Sequence, residues 1–300
     1  YYPNATARTL KTNRSYNLGV LFQEKRGTGL THSFFASVLD AFKSAGEKRG
    51  YDITFINHHI GWTGMTYLEH CRYRNVDGVC VVCADFYAPE VIELVDSNLP
   101  VVTIDHSFNN RSCVLSDNIG GLKLLVDAAC QKGHRKIAYV HGEKSSVTEN
   151  RIIGFYRAMQ EHGLNVNPDF VVEALYDNPA TSMQAVLNLM NRPDPPTCIL
   201  LPDDHSTLGA LQAAKQLNLR VPEDLSLAGY DGIRLTQMLQ PRLTTIEQDT
   251  KRIGAQAAEF LIDRIENPRT AGSETATIPV KLLEGESMGI CPVKADAANS

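Results

Sequence analysis

Gly78-Val79-Cys80-Val81-Val82-Cys83 is the stretch that decides the fold of this chain. It is apolar at every position after the glycine and shows no alternation with polar residues. A strand of that composition is buried on both faces, which is typical of parallel sheets covered by helices on each side. Similar runs recur along the chain and give further strand candidates at 17–22, 51–56, 100–104, 136–141, 197–201 and 225–229.

Segments with helical spacing of apolar residues separate these runs. Three of them form clear stripes: Phe35, Val38, Leu39, Phe42 and Ala45, then Leu122, Leu125, Val126 and Ala129, then Ile253, Ala257, Phe260, Leu261 and Ile265. A single sheet built from all the strands would be large. We therefore predict an α/β fold with two doubly wound parallel-sheet subdomains.

The composition is that of an ordinary globular protein, with 300 residues, 43% hydrophobic residues and a formal net charge of -5. No run reaches the roughly 18 apolar residues of a membrane span, and the first residues do not form a signal peptide. Seven cysteines, an odd number, are scattered through apolar runs, as expected of reduced thiols. These features predict a cytoplasmic protein with no membrane contact, no metal site and no cofactor.

Three acidic residues directly follow predicted strands: Asp105, Asp203 and Asp231. Open α/β sheets bind ligands at the carboxyl ends of their strands, and these ends carry all three carboxylates. A carboxylate accepts two hydroxyl groups at once, which favours a polyhydroxylated ligand held in a cleft. Each acid taken singly is more typical of a helix N-cap or a turn, and it is the matched positions of all three that favour a ligand site.

Arg151 and the pair Phe34 and Phe35 are the other candidate ligand contacts. We expect Arg151 to begin a helix after the strand that ends near His141, and to point into the same cleft unless it lies on a solvated helix face. One of the two phenylalanine rings is expected to face the ligand and the other, Phe35, to pack in the core. P-loop, H-E-x-x-H and G-x-S-x-G motifs are absent from the sequence, so nothing in it indicates catalysis.

The segment Tyr1 to Lys11 precedes the first strand candidate and combines apolar with basic residues. Pro3 fits the first turn of a short helix, Leu10 belongs to a small apolar face, and Arg8 adds positive charge. An apolar wedge beside basic residues is used by proteins that insert into the DNA minor groove. A frayed N-terminal arm is the alternative interpretation.

Taken together, these motifs resemble the LacI/GalR family of transcriptional regulators, whose sensor core resembles the periplasmic sugar-binding proteins. The motifs are Tyr1-x-Pro-Asn-x-x-Ala-Arg-x-Leu10, Ser116-Asp117-Asn118-Ile119-Gly120-Gly121, Gly133-His134-Arg135-Lys136-Ile137-Ala138, Arg151-x-x-Gly154-Phe155, Leu208-Gly209-Ala210-Leu211, Val221-Pro222-Glu223-Asp224-Leu225-Ser226, Gly229-Tyr230-Asp231 and Pro241-x-Leu243-Thr244-Thr245-Ile246-x-Gln248-Asp249. Their order and spacing run almost from end to end of the chain.

The resemblance implies a role for particular residues. Positions that bind the effector in the family are matched by Arg151, Asp231, Asp203, Asp105 and Phe34, and Asn178 stands where several relatives place a stacking aromatic ring. The hinge helix that contacts operator DNA in the family is matched by Asn4, Arg8, Leu10 and Lys11. The family's helix-turn-helix would lie before Tyr1.

The resemblance also implies a periplasmic-binding-protein-like type I architecture whose two subdomains are joined by three crossovers. The expected division is a hinge at 1–15, one subdomain at 16–115 with 250–270, the other at 116–249 with 276–290, and a tail at 291–300. An effector would bind in the cleft between the subdomains and change operator affinity allosterically. Without leucine heptads at the C-terminus, a homodimer is expected rather than a coiled-coil tetramer.

The sequence thus predicts the effector-sensing core of a DNA-binding repressor or activator. A sugar is the first candidate effector, because acids outnumber aromatic rings among the ligand candidates, and a nucleobase is the second. An exported sugar-binding protein of a transport system is the alternative, since it shares the fold. An enzyme on the same scaffold would require an activated nucleophile or an acid–base pair.

Overall fold

The computed structural model describes residues 14–23, 29–60 and 62–292. Within this part of the chain the strands are β1 (Asn17–Phe22), β2 (Asp52–Phe55), β3 (His59–Ile60), β4 (Thr63–Gly64), β5 (Gly78–Val82), β6 (Val101–Ile104), β7 (Ser112–Ser116), β8 (Ile137–His141), β9 (Val171–Glu173), β10 (Cys198–Leu200), β11 (Ser226–Asp231), β12 (Thr244–Gln248), β13 (Thr275–Ile278) and β14 (Val280–Leu283). The α-helices are α1 (Ser33–Lys48), α2 (Tyr67–Tyr73), α3 (Pro89–Asp96), α4 (Asn118–Gln131), α5 (Ser146–Glu161), α6 (Pro179–Met190), α7 (Asp204–Gln216) and α8 (Thr250–Glu266).

The described residues form two compact units. The first reaches Ser116 and resumes at Asp249–Ile278, and the second comprises Asp117–Gln248 and the chain from Pro279 onward. The chain therefore passes between the units after Ser116, after Gln248 and after Ile278. The hinge predictions at Asn4, Arg8, Leu10 and Lys11 lie outside the described residues, as does the predicted tail beyond Pro292.

The first unit contains a six-stranded parallel sheet with the order β13-β7-β6-β5-β1-β2. As predicted, β5 is buried at all of its positions, from Gly78 to Val82. One face of the sheet packs on α1 and α8, and a separate apolar cluster that includes α2 and α3 residues covers the other face. Gly254 permits the close approach of α8 to α1, since a Cβ there would lie 2.2 Å from the carbonyl oxygen of Val38.

The second unit contains the sheet β14-β12-β11-β10-β8-β9, in which the β14 edge strand alone runs antiparallel to its neighbour. Apolar clusters again lie on both faces, so this sheet is also doubly wound. The predicted fold class is confirmed. No helix in the described part of the chain is long and apolar enough to span a bilayer.

The predicted division of the chain needs one correction. Residues 276–290 were expected to lie together in the second subdomain, but Thr275–Ile278 pairs with β7 in the sheet of the first unit. The change of unit comes at Pro279, and only the following strand, Val280–Leu283, joins the second sheet. Two adjacent short strands, separated only by Pro279, thus belong to different sheets.

Candidate functional site

The carboxyl ends of the second sheet carry a row of acidic side chains. Glu143 follows β8, Asp177 follows β9, Asp203 and Asp204 follow β10, and Asp231 ends β11; we call these five residues the acidic row. The strand order places these ends side by side. Because β9 and β10 lie on opposite sides of β8, the topological switch point lies between β8 and β10, where open α/β sheets bind ligands.

Arg151 spans this switch point. Its Nε donates a hydrogen bond to Asn118 Oδ1 (2.7 Å), and its Nη1 donates to the carbonyl oxygen of Pro202 (2.8 Å), just beyond β10. Only 4% of the residue is exposed. The sequence predicted that Arg151 begins a helix. Instead, α5 starts at Ser146, and Arg151 lies in its second turn. The unfavourable dipole interaction expected at a first turn is thereby reduced.

The guanidinium of Arg151 lies over aromatic rings. Its Cζ is 3.5 Å from the centroid of the Tyr230 ring and 5.8 Å from that of Tyr176, which are cation–π distances. Burial alone would lower the pKa of Arg151, but interactions with Tyr176, Tyr230 and Asp231 outweigh it and raise the pKa. The side chain therefore carries a permanent, buried positive charge.

Two buried phenols lie close to Arg151. Tyr139 on β8 is 0% exposed and Tyr230 on β11 is 1% exposed, and neither hydroxyl has a hydrogen-bond partner among the described residues. Burial raises the pKa of both phenols, so both are neutral donors at physiological pH. Buried polar groups are nearly always hydrogen-bonded in folded proteins. These two hydroxyls are therefore hydrogen-bonding groups that the described residues leave without a partner.

Tyr176 closes the same region and was missed by sequence reasoning. Its backbone N–H donates to Glu143 Oε2 (2.9 Å), and its hydroxyl hydrogen-bonds with Thr148 Oγ1 (2.8 Å). Its ring covers Gly142, where a Cβ would lie 2.0 Å from a ring carbon. Glycine at 142 is therefore required for Tyr176 to occupy this position, beside Arg151.

Asp231 lies next to Arg151 at the end of β11, as predicted, and is half-buried. Its φ of 110° is unusual for a residue with a side chain, and such conformations are concentrated at functional sites. Gln248 at the end of β12 donates to Asp231 Oδ1 (2.7 Å). Burial raises the pKa of the Asp231 carboxyl, against the opposing effect of Arg151.

Asp203 and Asn178 are helix N-caps. Asp203 begins α7 and accepts hydrogen bonds from Ser206 N–H (2.7 Å), Ser206 Oγ (2.8 Å) and Asp177 N–H (2.8 Å). Asn178 begins α6 and accepts from the N–H of Thr181 (3.1 Å). The contacts of both residues show that they cap helices. Their contact with a ligand stays a prediction.

Asp177 and His205 form a close side-chain pair that the sequence did not reveal. His205 Nδ1 lies 2.7 Å from Asp177 Oδ1, and both side chains are half-buried at the edge that holds Arg151. Asp177 has a φ of 50°, a further left-handed residue in this region. Asp177 and His205 are 28 positions apart in the sequence, and no local pattern connects them.

Asp204 is the most buried carboxyl of the row. It accepts hydrogen bonds from Ile233 N–H (2.8 Å), Thr236 Oγ1 (2.9 Å) and Thr245 Oγ1 (2.5 Å), and thus ties α7 to the segment after β11 and to β12. Burial raises the pKa of Asp204 to about 7. Its hydrogen bonds are internal, so we assign it a structural role.

Phe34 and Phe35 both pack against the core of the first unit, and Phe34 is the more buried. Phe34 is 6% exposed and belongs to the apolar core of the first unit, whereas Phe35 is half-buried and packs against its margin. The buried stripe of α1 runs through Phe34, Val38 and Phe42, which are spaced by four residues, and this spacing sets the inward face. Phe34 is thus the more buried of the two rings, and its predicted contact with a ligand stays a prediction.

Asp105 follows β6 in the first unit, as predicted, with a left-handed φ of 66°. Its backbone N–H donates to the carbonyl oxygen of Val114 (2.9 Å). The next residue, His106, stacks on Phe86 with ring centroids 4.6 Å apart and meets Phe108 edge-on at 4.6 Å. The first unit thus also places an acid and aromatic rings at the carboxyl ends of its strands.

The structure therefore brings Arg151, Asp203, Asp231 and Asn178 together in the second unit, while Phe34 and Asp105 belong to the first. Within residues 14–23, 29–60 and 62–292, no group of three or more histidine, cysteine or acidic side chains is arranged to hold a metal ion.

The chain is similar to periplasmic binding protein-like domains and to transcriptional repressors. The family of periplasmic binding protein-like domains matches residues 126–288. The HTH-type transcriptional repressor PurR of Proteus mirabilis is 30% identical over 304 residues, covering 97% of this chain and 85% of the relative. The ribose operon repressor of Haemophilus influenzae is 33% identical over 277 residues, covering 89% of this chain and 80% of the relative.

A solved structure adds the three-dimensional likeness. A LacI family transcriptional regulator from Enterococcus faecium, with bound ribose, superposes with a TM-score of 0.78 at 23% identity, covering 91% of this chain and 99% of that one. At this identity the likeness concerns the fold.

Proposed function

Because this chain belongs to the LacI/GalR family of transcriptional regulators, we propose that it holds its effector at the acidic row beside Arg151. The protein is the effector-binding core of a DNA-binding transcriptional regulator, and it is not an enzyme, since its relatives are transcriptional repressors. Regulators of this family bind a small-molecule effector and operator DNA.

The observation that carries the site is the grouping of Arg151 and Asp231 with the two buried hydroxyls of Tyr139 and Tyr230. Gln248 donates to one oxygen of Asp231, and a carboxyl group has further acceptor positions. Arg151, Asp231 and the phenol of Tyr230 thus interact electrostatically close to the switch point of the sheet. A ligand bound there can satisfy polar groups that have no partner among the described residues.

We propose a sugar as the effector class. Sugar hydroxyls both donate and accept, so one molecule can donate to the Asp231 carboxyl and accept from phenols. The ring of Tyr176 offers an apolar wall for the C–H face of a sugar. The ribose operon repressor among the relatives and the ribose-bound structural neighbour support this class.

We also propose that the regulator acts as a homodimer in the cytoplasm, where operator DNA lies. Effector binding shifts the equilibrium between two states with different operator affinity, and by linkage the operator changes effector affinity by the same factor. Asp105, Asp203 and Asn178 are proposed as additional effector contacts on the basis of the family pattern and their positions at strand ends.

A thermal-shift screen tests this proposal. The panel contains pentoses, hexoses, disaccharides and purine bases, and an effector at 100 times its dissociation constant stabilises the protein by about 2.7 kcal/mol. Asp231→Asn keeps an oxygen for Gln248 but removes the carboxylate, so we expect the shift to disappear while the fold persists. Asp169→Asn, an exposed acid paired with Arg192, is the matched control and should keep the shift. An equal shift in the Asp231→Asn variant, or no shift from any member of the panel, would contradict the proposal.

A further inference from the structure

We infer that the site beside Arg151 selects an uncharged polyhydroxyl ligand and excludes its phosphorylated counterpart. This inference rests on the proposed function and specifies the chemical class of the effector. It follows from the hydrogen bonds that Arg151 already makes, from the acids around it and from the helix ends at this edge.

Arg151 is nearly enclosed, and two of its nitrogens already donate to other groups of the chain. Phosphate recognition by arginine relies on two parallel N–H donors presented to the phosphate oxygens. Here Nε is bound to Asn118, Nη1 is bound to the carbonyl oxygen of Pro202, and one face of the guanidinium lies on the Tyr230 ring. The other N–H donors of the guanidinium are nearly closed to solvent, because only 4% of the residue is exposed.

The accessible polar groups at this edge are mainly acidic. Glu143, Asp177 and Asp231 are half-buried, and His205, the nearby base, is paired with Asp177. Lys144 and Arg234 are exposed at the margin, where water and salt screen their charges. A phosphate group brings a charge of about -1.5 to -2 to a place already lined by carboxylates.

The raised pKa values of two of these acids also indicate that this edge disfavours negative charge. Burial raises the pKa of Asp231, and the neighbouring Asp203 and Asp204 raise it further. Burial likewise raises the pKa of Asp203, with a contribution from Asp177 in the same direction. An environment that disfavours ionisation of its own carboxyls also disfavours an entering anion, whereas hydroxyl groups carry no such cost.

Helix N-termini, which commonly attract phosphate, are already used at this edge. The N-terminus of α7 is capped by Asp203 and carries Asp204 in its first turn. The first turn of α5 contains Glu149, and the N-terminus of α6 is capped by Asn178. The partial positive charges of α5 and α7 are thus offset by carboxylates of the chain itself.

Two phenols that have no hydrogen-bond partner among the described residues add neutral donors to the surroundings of Arg151. Tyr139 and Tyr230 are at least nine-tenths buried, and both interact electrostatically with Arg151. A neutral phenol donates one hydrogen bond, which a sugar hydroxyl or ring oxygen can accept without bringing net charge into the site.

The test is isothermal titration calorimetry with matched pairs of probes: ribose and ribose 5-phosphate, glucose and glucose 6-phosphate, cellobiose and its phosphorylated form. In the pair that binds, we expect the neutral sugar to bind at least about tenfold more tightly than the phosphorylated one. Asp177→Asn should narrow that ratio by about threefold, and raising NaCl from about 50 mM to about 500 mM should also narrow it. Asp169→Asn, an acid at the opposite end of β9, is the matched control and should leave the ratio unchanged.

Each result has a definite meaning. A phosphorylated probe that binds as tightly as its neutral partner, or more tightly, overturns this inference and leaves the proposed sugar effector standing. A ratio that responds neither to salt nor to Asp177→Asn also overturns it, because exclusion would then be steric. No binding by any probe of either kind contradicts the proposed function together with the inference.

Discussion

Replacing the buried Asp204 by asparagine is expected to change how stability depends on pH. Asp204 is 0% exposed, and burial raises its pKa from 3.8 to about 7. Because the pKa is higher in the folded than in the unfolded chain, the unfolded chain releases this proton first as the pH rises. The stability due to the protonated group is therefore complete below about pH 4 and is lost as the pH rises toward 7.

The size of the effect follows from the shift. Each pKa unit is worth about 1.4 kcal/mol, so the shift from 3.8 to about 7 changes the free energy of unfolding by about 4 kcal/mol in all. Between about pH 4.5 and about pH 7.5 the change is about 3 kcal/mol. Asparagine is close in shape to aspartic acid, and its amide oxygen can accept from Ile233 N–H and the hydroxyl of Thr236. Its amide N–H can donate to Thr245 Oγ1, so the internal contacts are retained.

The assay is urea denaturation followed by far-UV circular dichroism at both pH values. Relative to the unmodified protein, Asp204→Asn should gain about 3 kcal/mol of unfolding free energy between the lower and the higher pH. Asp169→Asn, whose acid is exposed, serves as the control and should track the unmodified protein. Parallel pH dependences for the unmodified protein and Asp204→Asn would refute the reasoning.

Two further predictions concern neighbouring parts of the site. Gly142→Ala should lower the free energy of unfolding by about 1–3 kcal/mol and weaken effector binding, because the new Cβ displaces the Tyr176 ring. Urea denaturation measures the first effect and the effector thermal shift measures the second. Unchanged values in both would contradict the close packing of Tyr176 on Gly142. Asp203→Ala should cost roughly 3 kcal/mol by removing the acceptor of three hydrogen bonds, and Asp203→Ser should recover about 1 kcal/mol by restoring the cap. Equal stability of the alanine and serine variants in urea would argue against the capping role.

The sequence anticipated the part of the site that follows from topology. Arg151 and Asp231 were predicted to lie at one edge although 80 positions separate them, and the Arg151 guanidinium lies 3.5 Å from the ring centroid of Tyr230, the residue before Asp231. The reason is general: the carboxyl ends of neighbouring parallel strands meet at one edge of a sheet, so residues just beyond them become neighbours. The sequence does not predict β7, β9 and β12. Their apolar runs are short: three residues in Ser112–Ser116, two in Val171–Glu173 and one in Thr244–Gln248.

By itself, the sequence determined the α/β class, the doubly wound sheets and the strand ends at which polar residues gather, because burial on both faces and helical periodicity are written locally. Only the tertiary structure decided that Phe34 is more buried than Phe35, that Tyr176 lies over Gly142, and that Asp177 pairs with His205. Each of these depends on which distant residue a side chain meets. Such contacts are set by packing between elements, and no local pattern encodes them.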